Sequence, residues 1–392
     1  MWTLFYILFI LTSLVYIPSS VPDSFWVPKE AMYFLVGWMV VAASWMARTG
    51  KLFVFRNAWL GAILIYNILY FGWYFFVPII FNNGIGYTVQ VWNLRPTLNL
   101  VLGLVLIQTL VENTDSFNRW LTLAKVMFWT GFGVSVYSVV QWLNIDPLFG
   151  RYHFNHINDY FSREVLMVGF LSNKFLTAQY IALLAPLGLM FKGNWYKVAF
   201  GFMAVPILLA NTVTAVVTYV LGLAVYLLLH RNIKSLVGLG IISLLALVVL
   251  TVSYPQFLAS SGRQTVWKES FARMMEDKSF LQGEGLGSFP ANNIKSGERK
   301  ALSAHSEPVQ VLFEGGAVMI VLVGGYLLDL CRRVLASLAV DPTTLLIVFT
   351  SVFVAYVASS FTSFPLRIAP LALIGIIYIS ALEVLTTNRR FA

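Results

Sequence analysis

At 392 residues, 59% of them hydrophobic and 11% charged, the chain carries less than half the charge of a soluble globular domain, in which roughly a quarter of residues are charged. The deficit runs from end to end and excludes a water-soluble fold. The formal net charge of +9 says less than its distribution, because short basic loops set the orientation of a membrane protein.

Apolar runs of about twenty residues recur throughout, each long enough to cross ~30 Å of hydrocarbon at 1.5 Å per residue. Backbone groups in lipid must be satisfied within the segment, so these runs are predicted helices. In chain order the predicted spans are 2–18, 30–47, 58–80, 97–111, 120–142, 173–191, 196–210, 212–230, 235–253, 309–330, 342–361 and 369–386. The first begins at Trp2 without a basic n-region or a clear cleavage site, and reads as a retained helix. The sequence thus predicts an all-α polytopic membrane protein with about 12 transmembrane helices in one domain, 1–392. A large loop, 255–307, joins the ninth and tenth. The single cysteine, Cys331, excludes an intramolecular disulfide, and no Cys/His spacing of the zinc type occurs.

Positive charge gives the bundle a direction. Arg48, Lys51, Arg56, Arg119, Lys125, Lys192, Lys197, Arg231, Lys234, Arg332, Arg333, Arg389 and Arg390 fall on one set of alternating loops and helix ends. The opposite short loops hold fewer: Lys29, Arg95, Arg151, Arg163, Lys174 and Arg367. Both termini are therefore expected in the cytoplasm and 255–307 outside, since long loops translocate largely regardless of charge.

Three outer stretches differ from ordinary connectors. Asn82 to Arg95 is polar but holds Tyr87 and Trp92, which fit an interfacial aromatic belt. Asp146 to Glu164, "DPLFGRYHFNHINDYFSRE", gathers Arg151, His153, His156 and Arg163 among aromatics. Histidines three apart can share a helix face, but no third metal ligand follows at convincing spacing, so a substrate-contacting or interfacial loop is the better reading. Ser260 to Pro290 opens with two serines able to cap a helix near Arg263, and Trp267, Phe271 and Met274 then fall on one apolar face. This amphipathic helix is expected to lie on the membrane surface or to cap a cavity. Arg263 at its start sits where free amides and the helix dipole favour an anion. Gly283, Gly285 and Gly287 follow, suited to close backbone approach, and His305 stands just before an apolar helix at the membrane boundary. A lone histidine there is more often structural, yet histidine is the side-chain type suited to proton transfer near neutral pH.

These segments, in this order, resemble the O-antigen ligase and O-antigen polymerase superfamily of bacterial membrane glycosyltransferases. "SGRQTVWKESF" resembles the family's Arg-x-x-x-Trp element, with Arg263 and Trp267. "SFLQGEGLGSF" looks like its glycine turn, and "HSEPVQVLFEGG" like its His-(Asn/Ser/Gln) followed after nine residues by a glycine, here Gly316. "VGFLSNKFLTAQYIALLAPL" is similar to the earlier Asn-Pro-Asn helix and keeps Asn173; "SFPLRIAPLALIG" resembles the final outer turn. The likeness is densest over 260–320 and weak over the first 140 residues. Two departures stand out. Met319 replaces a second family glycine, and "LLANTVTAVVT", with Thr212 and Val213, stands where the family carries a phosphate-holding arginine.

The resemblance implies a GT-C-like bundle that moves a glycan from undecaprenyl diphosphate to an acceptor hydroxyl on the periplasmic face of the inner membrane, by metal-independent inversion and without a cofactor. On that reading His305 is the catalytic base, a role suited to histidine. Arg263 binds the diphosphate, with Arg163, Arg367 or Arg151 supplying the arginine missing near Val213, since guanidinium matches phosphate oxygens in bidentate fashion. Trp267 packs the external helix or contacts substrate by stacking on sugar, and Asn173 contacts substrate. Partners are the lipid-linked donor, a lipid A–core or other glycan acceptor, and membrane lipid; no nucleic acid is expected. Ligase is preferred to polysaccharide polymerase or protein O-oligosaccharyltransferase because the large loop with His305 is the ligase-like element. A transporter is the rival of another class. Its signature is mid-membrane charge on broken helices in matching halves, and Glu314, Asp329 and Glu383 are the few candidates.

Overall fold

The computed structural model describes residues 2–14, 57–81, 100–112, 116–143, 145, 174–210, 212–240, 263–286, 288–289, 306–363, 365–367 and 369–387. Among these every regular element is helical. They are α1 (Trp2–Leu14), α2 (Ala58–Phe81), α3 (Leu100–Glu112), α4 (Phe117–Trp142), α5 (Lys174–Leu184), α6 (Asn194–Leu209), α7 (Val213–Leu229), α8 (Arg263–Glu276), α9 (Glu307–Val340), α10 (Thr344–Ser360) and α11 (Ala369–Thr387). Residues 233–240 are also helical. Three helices are long and apolar enough to cross a membrane: Phe117–Trp142, Glu307–Val340 and Pro370–Thr387. Seven shorter apolar helices accompany them, α2 being counted there over Ala58–Tyr70. The predicted span 30–47 lies outside the described residues.

The core sits where α4, α5, α10 and α11 meet. Trp120, Phe128, Tyr180, Phe349 and Tyr378 are fully buried there, and Phe349 takes the edge-to-face geometry aromatics prefer with both Trp120 and Tyr378. The long apolar run 173–191 does not stay α-helical. Pro186 has no N–H to donate, and the chain tightens to a 3-10 helix over Ala185–Met190. The carbonyl of Leu183, which would meet proline in that register, instead accepts the Tyr378 hydroxyl at 2.7 Å.

α9 has 34 residues, against 22 in the predicted span 309–330. At 1.5 Å per residue it is about 51 Å long, more than the bilayer core requires. It ends before Asp341 and Pro342 rather than at the charges near 330. Those charges are compensated inside the protein. Arg333 grips Glu383 of α11 with both terminal nitrogens, at 2.7 and 2.8 Å, and its Nε donates to Asp329 Oδ2 at 3.0 Å. The Tyr326 hydroxyl donates to Glu383 Oε1 at 2.9 Å and Asn57 Nδ2 reaches the same oxygen at 3.3 Å. One guanidinium thus ties α9 to α11 beside the start of α2.

α9 is also broken. Gly316 has φ 70° and ψ −176°, far from helical, and the positive φ favours glycine. Segment 280–285 fills the break with backbone. The N–H groups of Ala317 and Val318 donate to the carbonyls of Phe280 (2.9 Å) and Leu281 (3.3 Å). In return Glu284 and Gly285 donate to the carbonyls of Phe313 (2.8 Å) and Glu314 (2.9 Å). The Tyr70 hydroxyl donates to Glu314 O at 2.9 Å and accepts from Gly285 N–H at 2.9 Å, and the Tyr66 hydroxyl donates to Gly315 O at 2.8 Å. Two carbonyls and two N–H groups at the break are therefore taken by the inserted loop, and the Gly315 carbonyl by Tyr66 of α2. Only glycine fits the crossing: a Cβ on Gly316 would lie 2.2 Å from Leu281 O, and one on Gly283, itself at φ 76°, 2.5 Å from Gly316 N.

Candidate functional site

The Glu307 end of α9 collects the segments on which the family resemblance rests. The Glu307 backbone N–H donates to Ser363 O at 3.2 Å, and the Glu307 carboxylate accepts the Leu366 N–H at 2.9 Å. These two bonds fasten the start of α9, the residue pair after His305, to the turn 363–367. That turn closes in a 3-10 helix, Pro365–Arg367, whose last residue is Arg367. The Ser363 hydroxyl donates to Gln179 Oε1 at 2.8 Å, and Gln179 Nε2 donates to Ser359 Oγ at 3.1 Å. Gln179 lies on α5, which begins immediately after Asn173. Thr214 and Thr362 share a hydroxyl hydrogen bond of 3.2 Å, bringing in the first turn of α7, beside Thr212 and Val213.

Glu307, Gln179, Ser359 and Ser363 are all buried, at 3%, 2%, 3% and 7% exposure, so the cluster is a floor rather than an open surface. Gln310 and Glu314 continue it along the same face of α9, with Gln310 Nε2 donating to Glu314 Oε1 at 3.0 Å. Buried carboxylates are costly without donors, and here a backbone N–H and a carboxamide serve Glu307 and Glu314.

α8 lies against the first turns of α9. Met274, Phe289 and Phe313 form a small buried cluster, with Val266, Trp267, Val309 and Leu312 packed around it. Phe289 and Phe313 meet edge to face at 5.2 Å. Trp267 and Met274 share the packed face as their spacing predicts. Phe271, expected on that face, is 41% exposed instead, beside the 65% exposed Met275. At 100° per residue it falls on the margin of a packed arc that runs through Val266, Ser270 and Met274. Trp267 is thus a packing residue between helix and bundle, and Arg263 stands at the opening residue of α8.

Of the seven candidate site residues, Arg263, Trp267 and Arg367 lie in described segments, the two arginines through their backbone. Arg151, Arg163, Asn173 and His305 lie outside the described residues, as do His153 and His156. What is brought together is the chain flanking them: α5 after Asn173, α9 after His305, and the turn ending at Arg367. Glu307, Gln310, Gln179 and the serines of 359–363 escape the motif search, although a glutamine inside an apolar helix marks a buried polar partner. Among the described residues no group of three or more His, Cys, Asp or Glu side chains is arranged to hold a metal ion.

No protein-family model matches the chain, and no curated protein matches it in sequence.

Proposed function

We propose that the chain is a glycosyltransferase of the O-antigen ligase kind, a twelve-span GT-C-like protein of the bacterial inner membrane with both termini in the cytoplasm. It transfers a glycan from undecaprenyl diphosphate to a lipid A–core or related acceptor hydroxyl at the periplasmic face. The observation that carries the reading is convergence at one end of the bundle. The segments adjoining Asn173, His305 and Arg367 are hydrogen-bonded to one another, and the helix that Arg263 opens packs on the same end of α9. Segments as far apart in sequence as Gln179 and Ser363 meet there, and they adjoin residues on which the resemblance rests.

In this mechanism His305 removes the acceptor hydroxyl proton as the oxygen attacks the anomeric carbon. The bond from that carbon to the diphosphate oxygen breaks, and undecaprenyl diphosphate leaves with the electron pair. Arg263, with Arg367, Arg163 or Arg151, stabilises the charge on the leaving group. Trp267 holds α8 on the bundle and so fixes the origin of the Arg263 side. The polyprenyl tail lies along the apolar helix faces.

The test is transfer from a lipid-linked glycan to lipid A–core in purified membranes. His305→Ala, made at normal expression, is expected to abolish transfer; full retained activity sinks the assignment.

A transporter is favoured by one feature, the broken α9 with buried Glu314 near its break. Transporter sites use freed backbone groups and half-helix ends to hold solute or ion. In this chain the groups freed at Gly316 bond to segment 280–285 and to Tyr66 and Tyr70. Counterflow of a labelled solute in proteoliposomes separates the two readings.

A further inference from the structure

Segment 280–285 is neither helix nor strand, yet its backbone polar groups are engaged with its neighbours. The carbonyls of Phe280, Leu281 and Gln282 accept from Ala317 N–H, Val318 N–H and, at 3.4 Å, the Tyr66 hydroxyl. The N–H groups of Gly283, Glu284 and Gly285 donate to the carbonyls of Ser279, Phe313 and Glu314. The carboxylate of Glu284, the one acid of the segment, accepts the Ser279 hydroxyl. What the segment leaves exposed begins with two large apolar side chains, Phe280 at 40% and Leu281 at 65%, followed by Gln282. The surface on either side is of the same kind. Val318, which bonds to Leu281, is exposed on α9 together with Val321. Ile65 and Leu69 are exposed on α2 beside Tyr66 and Tyr70. The turn is therefore wedged between two apolar stripes and continues them.

Its depth follows from α9. The Arg332 side chain is 80% exposed and marks one water boundary of that helix. Gly316 lies 16 residues nearer the Glu307 end, about 24 Å at 1.5 Å per residue and inside a hydrocarbon core of ~30 Å. The break thus falls about 6 Å below the opposite surface. The chain reaches it steeply. Lys278, at φ 53°, ends α8 in the left-handed conformation, with the Ser279 N–H bonded back to Met274 O at 3.0 Å. Three extended residues span at most about 10 Å, so the exposed Lys278 can keep its ammonium among headgroups while Leu281 lies in the acyl region. Non-helical backbone is tolerated at membrane depth only where protein satisfies it, and here α9 and α2 do so.

We propose that segment 280–285 is a re-entrant turn within the leaflet on the Glu307 side, with Phe280 and Leu281 set against lipid acyl chains. The stretch 255–307 is then not wholly outside the membrane, as the sequence predicts, but returns into it before α9 begins. The proposal rests on α9 crossing the bilayer and is independent of the chemistry assigned above.

The experiment reads lipid against water at single positions. In full-length Cys331→Ser protein, nitroxide labels are attached at Phe280→Cys, Leu281→Cys, Lys278→Cys and Leu328→Cys. The protein is placed in vesicles of phosphatidylcholine and phosphatidylglycerol, and collisions with oxygen and with the polar complex NiEDDA are compared by paramagnetic resonance. Leu328, 73% exposed and four residues before Arg332, is the reference for lipid, and Lys278 for the headgroup level. Desolvation keeps a polar complex out of hydrocarbon, so the oxygen-to-NiEDDA ratio at Leu281 and Phe280 is expected to exceed that at Lys278 about tenfold and to match Leu328. A ratio at Leu281 and Phe280 equal to that at Lys278 puts the turn in water and overturns the proposal. Labels that meet neither reagent show that protein covers the turn, which overturns it too, as does failure to recover either labelled variant folded. A NiEDDA-rich Leu328 means that α9 does not cross as described, and the re-entrant turn falls with that span. Glycan transfer is scored separately, and its absence leaves these ratios decisive.

Discussion

The two ends of α9 handle buried acid in opposite ways. At the Arg333 end, Glu383 and Asp329 meet a guanidinium whose nitrogens they share, and Arg332 adds a further contact to Asp329 at 3.2 Å. Charge is cancelled within the protein, and the network is a fastening between helices. At the Glu307 end, the carboxylates of Glu307 and Glu314 accept from a backbone N–H and a glutamine amide, amid serine hydroxyls. One helix therefore carries an end whose acids meet a guanidinium and an end whose acids meet neutral donors, and the break at Gly316 lies between them.

That contrast can be attacked from its centre outward. The largest effect is expected from Gly316→Ala, whose Cβ would enter the carbonyl of Leu281 at 2.2 Å. A loss of about 4 kcal/mol or more belongs to such forced backbone clashes. It is measured as failure to recover monodisperse protein from detergent, and normal recovery would mean the loop is not seated in the break. Next comes Arg333→Ala, which strands Glu383 and is expected to cost about 3–5 kcal/mol. Arg333→Met with Glu383→Leu should recover most of that, read as thermal unfolding in detergent. If the double variant is no better than the single, the Arg333 end is more than a fastening. Trp267→Ala removes packing between α8 and α9 and is expected to cost about 1–2 kcal/mol, with faster proteolysis within 263–289. Phe271→Ser, on the exposed side of the same helix, is expected to stay within about 0.5 kcal/mol. A larger change would show that this side is covered, by lipid or by protein.

Much of the helical frame was legible because apolar length is a strong signal. The predicted 120–142, 342–361 and 369–386 correspond to Phe117–Trp142, Thr344–Ser360 and Ala369–Thr387. α9 was underestimated because Asp329, Arg332 and Arg333 look like a membrane boundary. Nothing in the local sequence reveals that Arg333 is matched by Glu383, 50 residues away. Pro186 stands inside the predicted span 173–191, but nothing local says that the helix narrows to a 3-10 turn there. Gly283 and Gly285 are sites of close approach as read, and Gly287 lies outside the described residues, but the partner of the turn was invisible. "FEGGAVMI" continues an apolar run, and a helix break held by backbone from elsewhere leaves no periodic trace. The candidate site was read as motifs in order, of which Arg263, Trp267 and Arg367 fall in described segments. The tie through Glu307 was not, since a glutamate at a helix start has a sufficient local explanation in the dipole.

The seal between α2 and the break in α9 also constrains how the protein is assembled. Tyr70 and Tyr66 lie near the middle of α2, and they bond to Gly285, Glu314 and Gly315 across sequence separations of 215, 244 and 249 residues. A ribosome delivers α2 long before it delivers those partners. Until then two phenol hydroxyls stand in an early helix with their final acceptors not yet made. Until segment 280–285 is seated, the break at Gly316 leaves amides and carbonyls of α9 without their intrahelical partners. Segment 280–285 precedes α9 in synthesis and must fold back onto it, so the two have to mature as a unit. Completion of this membrane protein is thus a late, long-range event, and a nascent chain arrested between 285 and 314 should hold α2 inserted but unsealed.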